Sequence, residues 1–391
     1  MRSIAAVSVS RADYGILRPV LRAIQSAPEL QLHLVVAGTH LPDAPNSTSG
    51  AIAADGFQPA ASVPTLPGDD TPLGVARATG RALTGFAEVL ESLRPDLVML
   101  VGDRFETLAA AGASALLGLP IGHLHGGELT EGAIDDQIRH AITKMSHLHF
   151  VASAPQARRV IQMGEEPWRV TVSGAAGLDI VTSIRWWDTA QIEQAIGLAL
   201  PEAPLLVTYH PVTLDQGAAA AHVDELIAAL DTEARPIIVT APNVDAGNIV
   251  VRARLEAWVR RRPNAAFVEN LGVEGYWSVM AVAAAMVGNS SSGIIEAASV
   301  RLPVVDVGDR QAGRDRAANV VHVGNTREEI RSGIDAATSP AFRAGLSGLV
   351  NPYGDGHAAE RIVRVLRETS ADRRLLTKRF HHVDPAHHQA D

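Results

Sequence analysis

The chain is predicted to be an α/β protein with two parallel-sheet domains, and three observations carry that expectation. Its 391 residues exceed what one hydrophobic core usually supports. Short apolar runs bounded by Gly, Pro or polar residues alternate with segments of helical spacing, and the alternation restarts at Pro204. The stretch from Leu97 to Val151 reads as strand, polar turn, helix, strand, polar turn, helix, strand, a βαβ unit and its continuation. Domains of this kind are Rossmann-like, and a cleft between two of them is a natural ligand site.

In the organising stretch, LVMLV and PIGHLH suit buried parallel strands, with ETLAAAGASALLG as the helix between them. Ligands of open α/β sheets bind beyond the carboxyl ends of the strands. Asp103, Arg104 and Glu106 follow the first strand, and His125, Gly126, Gly127 and Glu128 follow the second. Asp135 and Asp136 open the next element, with Arg139 and His140 one helical turn further on. Acids, a cation and a Gly-Gly turn at one sheet rim suit acid/base chemistry on a polar substrate. The plainer reading pairs Asp103 with Arg104 or Arg139 and makes Asp136 a helix cap. His123 and His125 would share one strand face, but no repeated spacing demands a metal, and none is expected.

Earlier in the chain, residues 4–9 form a first strand ending in Ser10-Arg11-Ala12-Asp13-Tyr14-Gly15, followed by the helical ILRPVLRAIQ. Arg11 could meet an anion there or be solvated. LQLHLVVAG reads as a second strand, Thr39 to Thr71 as a long loop region, and Pro72 to Leu93 as a helix. PQARRVIQMG is a helix with a glycine stop, and WRVTVSGAAGLDIV a strand and Gly-rich turn. The first domain is expected over 1–182 and the second over 183–359. A C-terminal helix near 360–380 is expected to pack back on the first, and 381–391 to be a frayed tail. The tail's histidines could hold a metal, but they read as solvated.

The second half runs through LLVTYHPVT, AAAHVDELIAAL, PIIVTAPN, IVVRARLEAWVRR, AAFVENLG, YWSVMAVAAAMVGN and LPVVDVGDR. GNSSSGIIEA, residues 288–297, ends an apolar strand and leads through Asn289, Ser290, Ser291, Ser292 and Gly293 into a helix. Small residues at a helix N-terminus let an anion approach free N–H groups, whereas the plain alternative is a Ser N-cap. Glu296, one turn inside, suits ribose hydroxyls. No Lys follows the glycine, so this is not a Walker motif. His210 ends its strand as either a ligand group or a structural partner, and GDRQAGR offers Arg310 and Arg314 to an anion or to neighbouring acids.

Composition excludes several classes. With 47% apolar residues and 20% charged residues the chain is an ordinary globular protein, and a net charge of −9 without a Lys/Arg block argues against a nucleic-acid surface, though local cations could bind a small phosphate. Without cysteine there is no disulfide, thiolate zinc site or catalytic thiol. MRSIAAVSVSRADYG turns polar too early for a secretory signal. No later run reaches the ~20 apolar residues of a membrane span, so a cytoplasmic protein is expected.

SRADYGILRPVL, GDRFETLAAA, HLHGGELTEGAIDDQIRHAITKMSHLHFV, TYHPVT, GNSSSGIIEA and VGDRQAGR, in this order and spacing, resemble the hydrolysing UDP-N-acetylglucosamine 2-epimerases of bacterial nonulosonate pathways. The resemblance covers roughly residues 4–365. It implies a GT-B-like fold, two Rossmann-like domains with parallel sheets facing across a cleft, and products that feed sialic, legionaminic or related acids. It implies Asp103, Glu128 and one of Asp135 and Asp136 as catalytic acids. Nucleotide contacts would be Arg11, His210, Ser290, Ser291, Ser292, Gly293, Glu296 and Arg314, with Arg139, Asn289 and Arg310 also at the substrate. APNVDAGNIVV lacks the family's double glycine, and GAAGLD has Ala176 where proline is frequent. A homodimer is implied by family analogy.

The implied substrate is a UDP- or GDP-linked 2-acetamido sugar, hydrolysed to the free manno-configured sugar and nucleoside diphosphate with no cofactor. The C2 proton has no neighbouring carbonyl, so C1–O must break first. A carboxylate then takes the C2 proton, leaving a 2-acetamidoglycal, and water adds to C1 while a proton returns to the opposite face of C2. Two faces call for differently protonated acids, which close carboxylates provide by mutual repulsion. The alternatives are a non-hydrolysing 2-epimerase, a GT-B glycosyltransferase and a non-catalytic nucleotide-sugar binding protein.

Overall fold

The computed structural model describes residues 1–44, 47–66, 71–130, 134–211, 219–242 and 248–383. The chain divides into two compact units, one of Met1–Ile180 with the chain from Tyr353 onward, the other of Val181–Pro352.

The first unit begins with β1 (Arg2–Ser8), α1 (Arg11–Ser26), β2 (Leu30–Ala37), α2 (Ser49–Ala54), β3 (Ala61–Val63), α3 (Pro72–Leu93) and β4 (Leu97–Val101). It continues with α4 (Phe105–Leu116), β5 (Ile121–Leu124), α5 (Ile134–Met145), β6 (Leu148–Val151), α6 (Ala154–Gln162) and β7 (Val170–Val172). The strands run parallel in the order β3-β2-β1-β4-β5-β6-β7, so the winding reverses between β1 and β4. Such a sheet is buried on both faces, and strand alternation divides its side chains between two cores. Ile4, Ala6, Leu97, Met99 and Val101 join α1 on one face. Ala5, Val7, Val98 and Leu100 meet Ala82, Phe86 and Leu90 of α3 and the alanines of α4 on the other. Helix α3 starts at a Thr71 cap with Pro72 behind it and stops at Arg94 in the left-handed region, the signals that mark it in the sequence.

The second unit contains α7 (Thr189–Ile196), β8 (Leu205–Thr208), α8 (Ala219–Leu230), β9 (Ile237–Thr240), α9 (Asn248–Val259), β10 (Ala265–Val268) and α10 (Gly272–Val282). Then come β11 (Ala285–Gly288), α11 (Ser291–Ile295), β12 (Val304–Val307), β13 (Val320–Val323), α12 (Arg327–Ala337) and α13 (Pro340–Gly345). Its parallel order, β10-β9-β8-β11-β12-β13, reverses between β8 and β11. Leu205, Val207, Val239, Val287 and Val305 form its core with α8, α9 and α12.

The chain finally returns to the first unit as α14 (Ala358–Glu368) and α15 (Arg373–Leu376). Asp179 accepts the N–H groups of Ala358 and Ala359 at 2.8 and 2.6 Å, capping α14. Buried Arg169 donates to the carbonyls of Leu375, Arg374 and Thr377 at 2.8, 3.0 and 3.0 Å. The fully buried Glu165 carboxylate holds Lys144 and Lys378 at 2.6 and 2.8 Å and faces His149 at 3.0 Å.

Two parts of the sequence reading change. The region read as one long loop, Thr39 to Thr71, contains α2 and the edge strand β3, whose three residues are too short to show a period. Strand β13 is an addition to the sequence reading: VVHV is short, and its His322 is exposed at the sheet edge. The turn at 243–247, where the family's double glycine is missing, and the tail from 384 with His387 and His388 lie outside the described residues. Among the described residues no helix is long and apolar enough to cross a membrane.

Burial makes acid a specific weakness of this fold. It lowers His40 and His147 to about 4, and His123 and His210 to about 3. These imidazoles stay neutral when folded, while the unfolded chain takes up protons below about 6.5. Their contribution is therefore complete above that pH and is lost as pH falls toward the folded values. Each differential proton costs about 1.4 kcal/mol per pH unit. The urea midpoint is expected to drop steadily from pH 7 to pH 5, and a flat midpoint across that range would contradict the assignment.

Candidate active site

In each unit the residues of interest gather at the carboxyl ends of strands around the point where the winding reverses, where open α/β sheets bind ligands. In the first unit Gly102 ends β4 and delivers Asp103, while His125 leaves β5 with a φ of 63°, in the left-handed region. His123 and His125 therefore do not share a strand face, contrary to the sequence expectation. Gly127 has a φ of 75°, and a Cβ there would stand 2.5 Å from the Gln156 carbonyl oxygen, so only glycine fits. This turn carries Glu128, whose carboxylate lies 2.7 Å from His125 Nδ1.

Arg139 of α5 is the hub of the first group. It is 4% exposed, and its guanidinium pairs with Asp103, reaches Asp136 at 3.3 Å, and donates to the Glu128 carbonyl and the Thr130 hydroxyl at 2.9 Å each. Planar N–H forks suit such divided bonding. The structure thus places Arg139 among the acids of the first unit, each of its assigned contacts being to the chain itself. Arg104 pairs instead with buried Glu106 at 3.3 Å.

Adjacent Asp135 and Asp136 differ in their partners. Asp136, inside the first turn of α5, accepts the Thr130 N–H at 2.9 Å, pairs with Arg139 and stands 3.4 Å from His140 Nε2. Asp135 is exposed and makes no hydrogen bond among the described residues. Partial burial and the negative charge of Asp103 raise its pKa, against the pull of Arg139 and Arg104. Arg11, exposed at the start of α1, likewise has no partner among the described residues.

Sequence reasoning missed Asp13, which is buried beside this group. The Ser10 hydroxyl donates to its carboxylate at 2.8 Å, and burial raises it to about 6 despite Ser10 and Arg104. The signal was present as Ser-x-x-Asp at the start of a helix, which reads as ordinary capping.

In the second unit β8 ends beside β11, so His210 meets the GNSSSG turn. A Cβ on Gly288 would lie 2.1 Å from the Thr208 carbonyl oxygen, which is why glycine precedes Asn289. Ser290 is the N-cap of α11, a helix of only five residues, with its hydroxyl 3.4 Å from the Ser292 N–H. The plain capping alternative therefore applies to Ser290. Gly293 is small for packing, since a Cβ would meet Val304 at 2.9 Å. The Ser291 hydroxyl has no partner among the described residues, while Ser292 Oγ lies 2.6 Å from the Tyr276 hydroxyl and 3.0 Å from Ser290 Oγ. Tyr276 comes from α10, 16 residues away in sequence, and no local spacing marked it.

Burial raises the Glu296 carboxyl to about 7, and the group has no hydrogen bond or ion pair among the described residues. His210 is held neutral, first by burial and then by the charge of Arg310. Arg310 donates to the Asn289 carbonyl at 3.1 Å, and half-buried Arg314 lies further along the same loop. Among the described residues no group of His, Cys, Asp and Glu has the disposition of a metal site.

The profile of the UDP-N-acetylglucosamine 2-epimerase family matches residues 22–367. The chain belongs to that family. It is 36% identical over 379 residues to a Legionella pneumophila protein named UDP-N,N'-diacetylbacillosamine 2-epimerase (hydrolyzing), covering 97% of this chain and 99% of the relative. A Campylobacter jejuni protein named GDP/UDP-N,N'-diacetylbacillosamine 2-epimerase (hydrolyzing) is also 36% identical, over 82% of this chain and 84% of its own. The crystal structure of a Neisseria meningitidis UDP-GlcNAc 2-epimerase bound to UDP-GlcNAc superposes with a TM-score of 0.79 at 18% identity, covering 94% of this chain and 100% of that one. The two Rossmann-like units are thus those of the GT-B-like epimerases of this family.

Proposed function

We propose that the chain is a hydrolysing 2-epimerase of a UDP- or GDP-linked 2-acetamido sugar. The observation that carries this reading is the Arg139-centred group, which holds Asp103 and Asp136 with Glu128 and Asp135 alongside, in a chain 36% identical to two relatives named as hydrolysing epimerases. The second unit supplies groups suited to the nucleotide. Neutral His210 can donate one N–H, Arg310 carries charge, and Ser290 to Ser292 offer hydroxyls to the diphosphate. Half-buried Glu296, with no side-chain hydrogen bond or ion pair among the described residues, suits ribose hydroxyls. Donors arranged in advance around a leaving diphosphate lower the barrier to breaking C1–O.

The bond electrons leave with the diphosphate, and the sugar becomes oxocarbenium-like and acidic at C2. A carboxylate removes the C2 proton to give the 2-acetamidoglycal. Water then bonds to C1 and a proton is delivered to the opposite face of C2, giving the free manno-configured sugar. Of the two neighbouring aspartates, Asp135 is the acid, because Asp136 is occupied by Thr130, Arg139 and His140. The upward shift of Asp135 favours the protonated form that delivery requires.

Resemblance to the two diacetylbacillosamine enzymes favours a 2,4-diacetamido-6-deoxy sugar over N-acetylglucosamine, since the Neisseria meningitidis relative named UDP-N-acetylglucosamine 2-epimerase is 31% identical. The family resemblance also supports a cytoplasmic homodimer, and sedimentation of the purified protein as a monomer would remove the dimer from this reading.

The deciding experiment is proton NMR in deuterated water with UDP-N-acetylglucosamine and with the UDP- and GDP-linked diacetamido sugars. Free manno-sugar carrying deuterium at C2 is expected, fastest with a diacetamido substrate. Exchange with the nucleotide still attached would indicate the non-hydrolysing reaction, and no exchange with any substrate would overturn the elimination mechanism.

A further inference from the structure

Asn289 stands where strands of the second unit end, and both ends of its side-chain amide are engaged by the protein. Its backbone N–H donates to the Thr208 carbonyl at 3.2 Å. Its Oδ1 accepts the His210 N–H at 2.7 Å, and its Nδ2 donates to the His210 carbonyl at 2.8 Å. Its own carbonyl accepts from Arg310 Nη1 at 3.1 Å and Gln311 Nε2 at 2.9 Å. The residue is wholly buried, at 0% exposure.

The amide therefore copies a β-ladder rung just beyond the end of β8. By bonding the N–H and C=O of the same residue, it fixes the backbone on both sides of the His210 ring. The contacts continue outward, because Arg316 donates to the Gln311 carbonyl at 3.4 Å and pairs with buried Asp306 at 2.9 Å. The loop after β12 is thus tied through Asn289 to the strand end that carries His210.

We propose that Asn289 is a positioning residue that fixes the His210 imidazole and the Arg310 loop for the nucleoside diphosphate without itself touching the ligand. This replaces the sequence expectation that Asn289 is a nucleotide contact, and it rests on the functional reading above. GNSSSG then divides into a joint, Gly288-Asn289, and a ligand-facing part that follows. A polar side chain that holds a backbone in place acts through what that backbone carries, so its effect must depend on His210 being present.

The test is a double-mutant cycle read as UDP affinity by calorimetry for wild type, Asn289→Ala, His210→Ala and the double variant. Each single change is expected to weaken UDP roughly tenfold, with the double variant within about twofold of His210→Ala. Losses that multiply, or full affinity in Asn289→Ala, would overturn the proposal. Titration of the His210 ring by NMR gives a reading that needs no ligand. Asn289→Ala is expected to move the ring from its depressed value toward that of a solvated imidazole, and an unchanged titration would overturn the proposal. If wild type binds neither UDP nor GDP, the functional reading fails while the ring titration still decides the positioning role; if it binds GDP alone, the cycle is read with GDP. If Asn289→Ala does not fold, Asn289→Asp carries the same comparisons, since it keeps the acceptor for the His210 N–H and loses the donor to its carbonyl.

Discussion

Replacing Arg139 with lysine is expected to reduce turnover of the nucleotide sugar roughly 10²-fold, the effect of an approximately 1 Å misplacement at a reacting centre. The guanidinium is bonded at once to Asp103, Asp136, the Glu128 carbonyl and the Thr130 hydroxyl. An ammonium keeps the charge but is a point donor on a flexible stem, and it cannot hold these groups in one plane. Arg139→Ala should be worse on two counts. Activity should fall by about 10³-fold or more, because several acids then lose their geometry together. Stability should fall by about 2 kcal/mol, less than for a fully buried pair, since Asp103 and Asp136 side chains are each 25% exposed and partly solvated. Urea denaturation and kcat measured on both variants would separate the effects. Near wild-type turnover in Arg139→Lys would remove Arg139 from its organising role.

The two parallel sheets were legible because each strand is a short apolar run between Gly, Pro or polar residues, and α3 because Thr71, Pro72 and the final turn carry boundary signals. β3 and β13 left the reading for local reasons: Ala61–Val63 is three residues set among Pro, Gly and Asp that read as loop, and Val320–Val323 carries the exposed His322 within its four. The acids of the first unit were legible by type and place, as they directly follow the strands β4 and β5. Their wiring was legible only in part: Asp103–Arg139 was one of two pairings left open, but the choice between them over 36 residues of sequence, and the further bonds of Arg139 to Glu128 and Thr130, were not. The same limit hid Tyr276 beside Ser292 and Gln311 beside Asn289, pairs made by strand order rather than spacing. Gly293 has a packing reason that the sequence did not show. A small residue in a polar turn suggests an approaching ligand, and a Cβ there would also meet Val304 of the neighbouring strand.

Asp135→Asn and Asp136→Asn are expected to separate chemistry from support. Asp135 has no hydrogen bond among the described residues to lose, so its replacement should leave stability within about 0.5 kcal/mol of wild type. Deuterium exchange at C2 should nevertheless fall by about 10³-fold, within the range for loss of a general acid or base. Asp136→Asn keeps an oxygen for the Thr130 N–H but loses its charge toward Arg139 and His140. Because these pairs are partly exposed, it should cost about 1 kcal/mol of stability and less than about tenfold in exchange. The pH profile supplies an independent sign. Partial burial and the Asp103 charge move Asp135 upward, so its protonated form survives to higher pH than in an ordinary aspartate. A step that needs that proton slows as pH rises through the shifted value, and this limb should vanish in Asp135→Asn and persist in Asp136→Asn. A larger loss of exchange in Asp136→Asn than in Asp135→Asn would reverse the assignment and make the Thr130-bound carboxylate the reacting one.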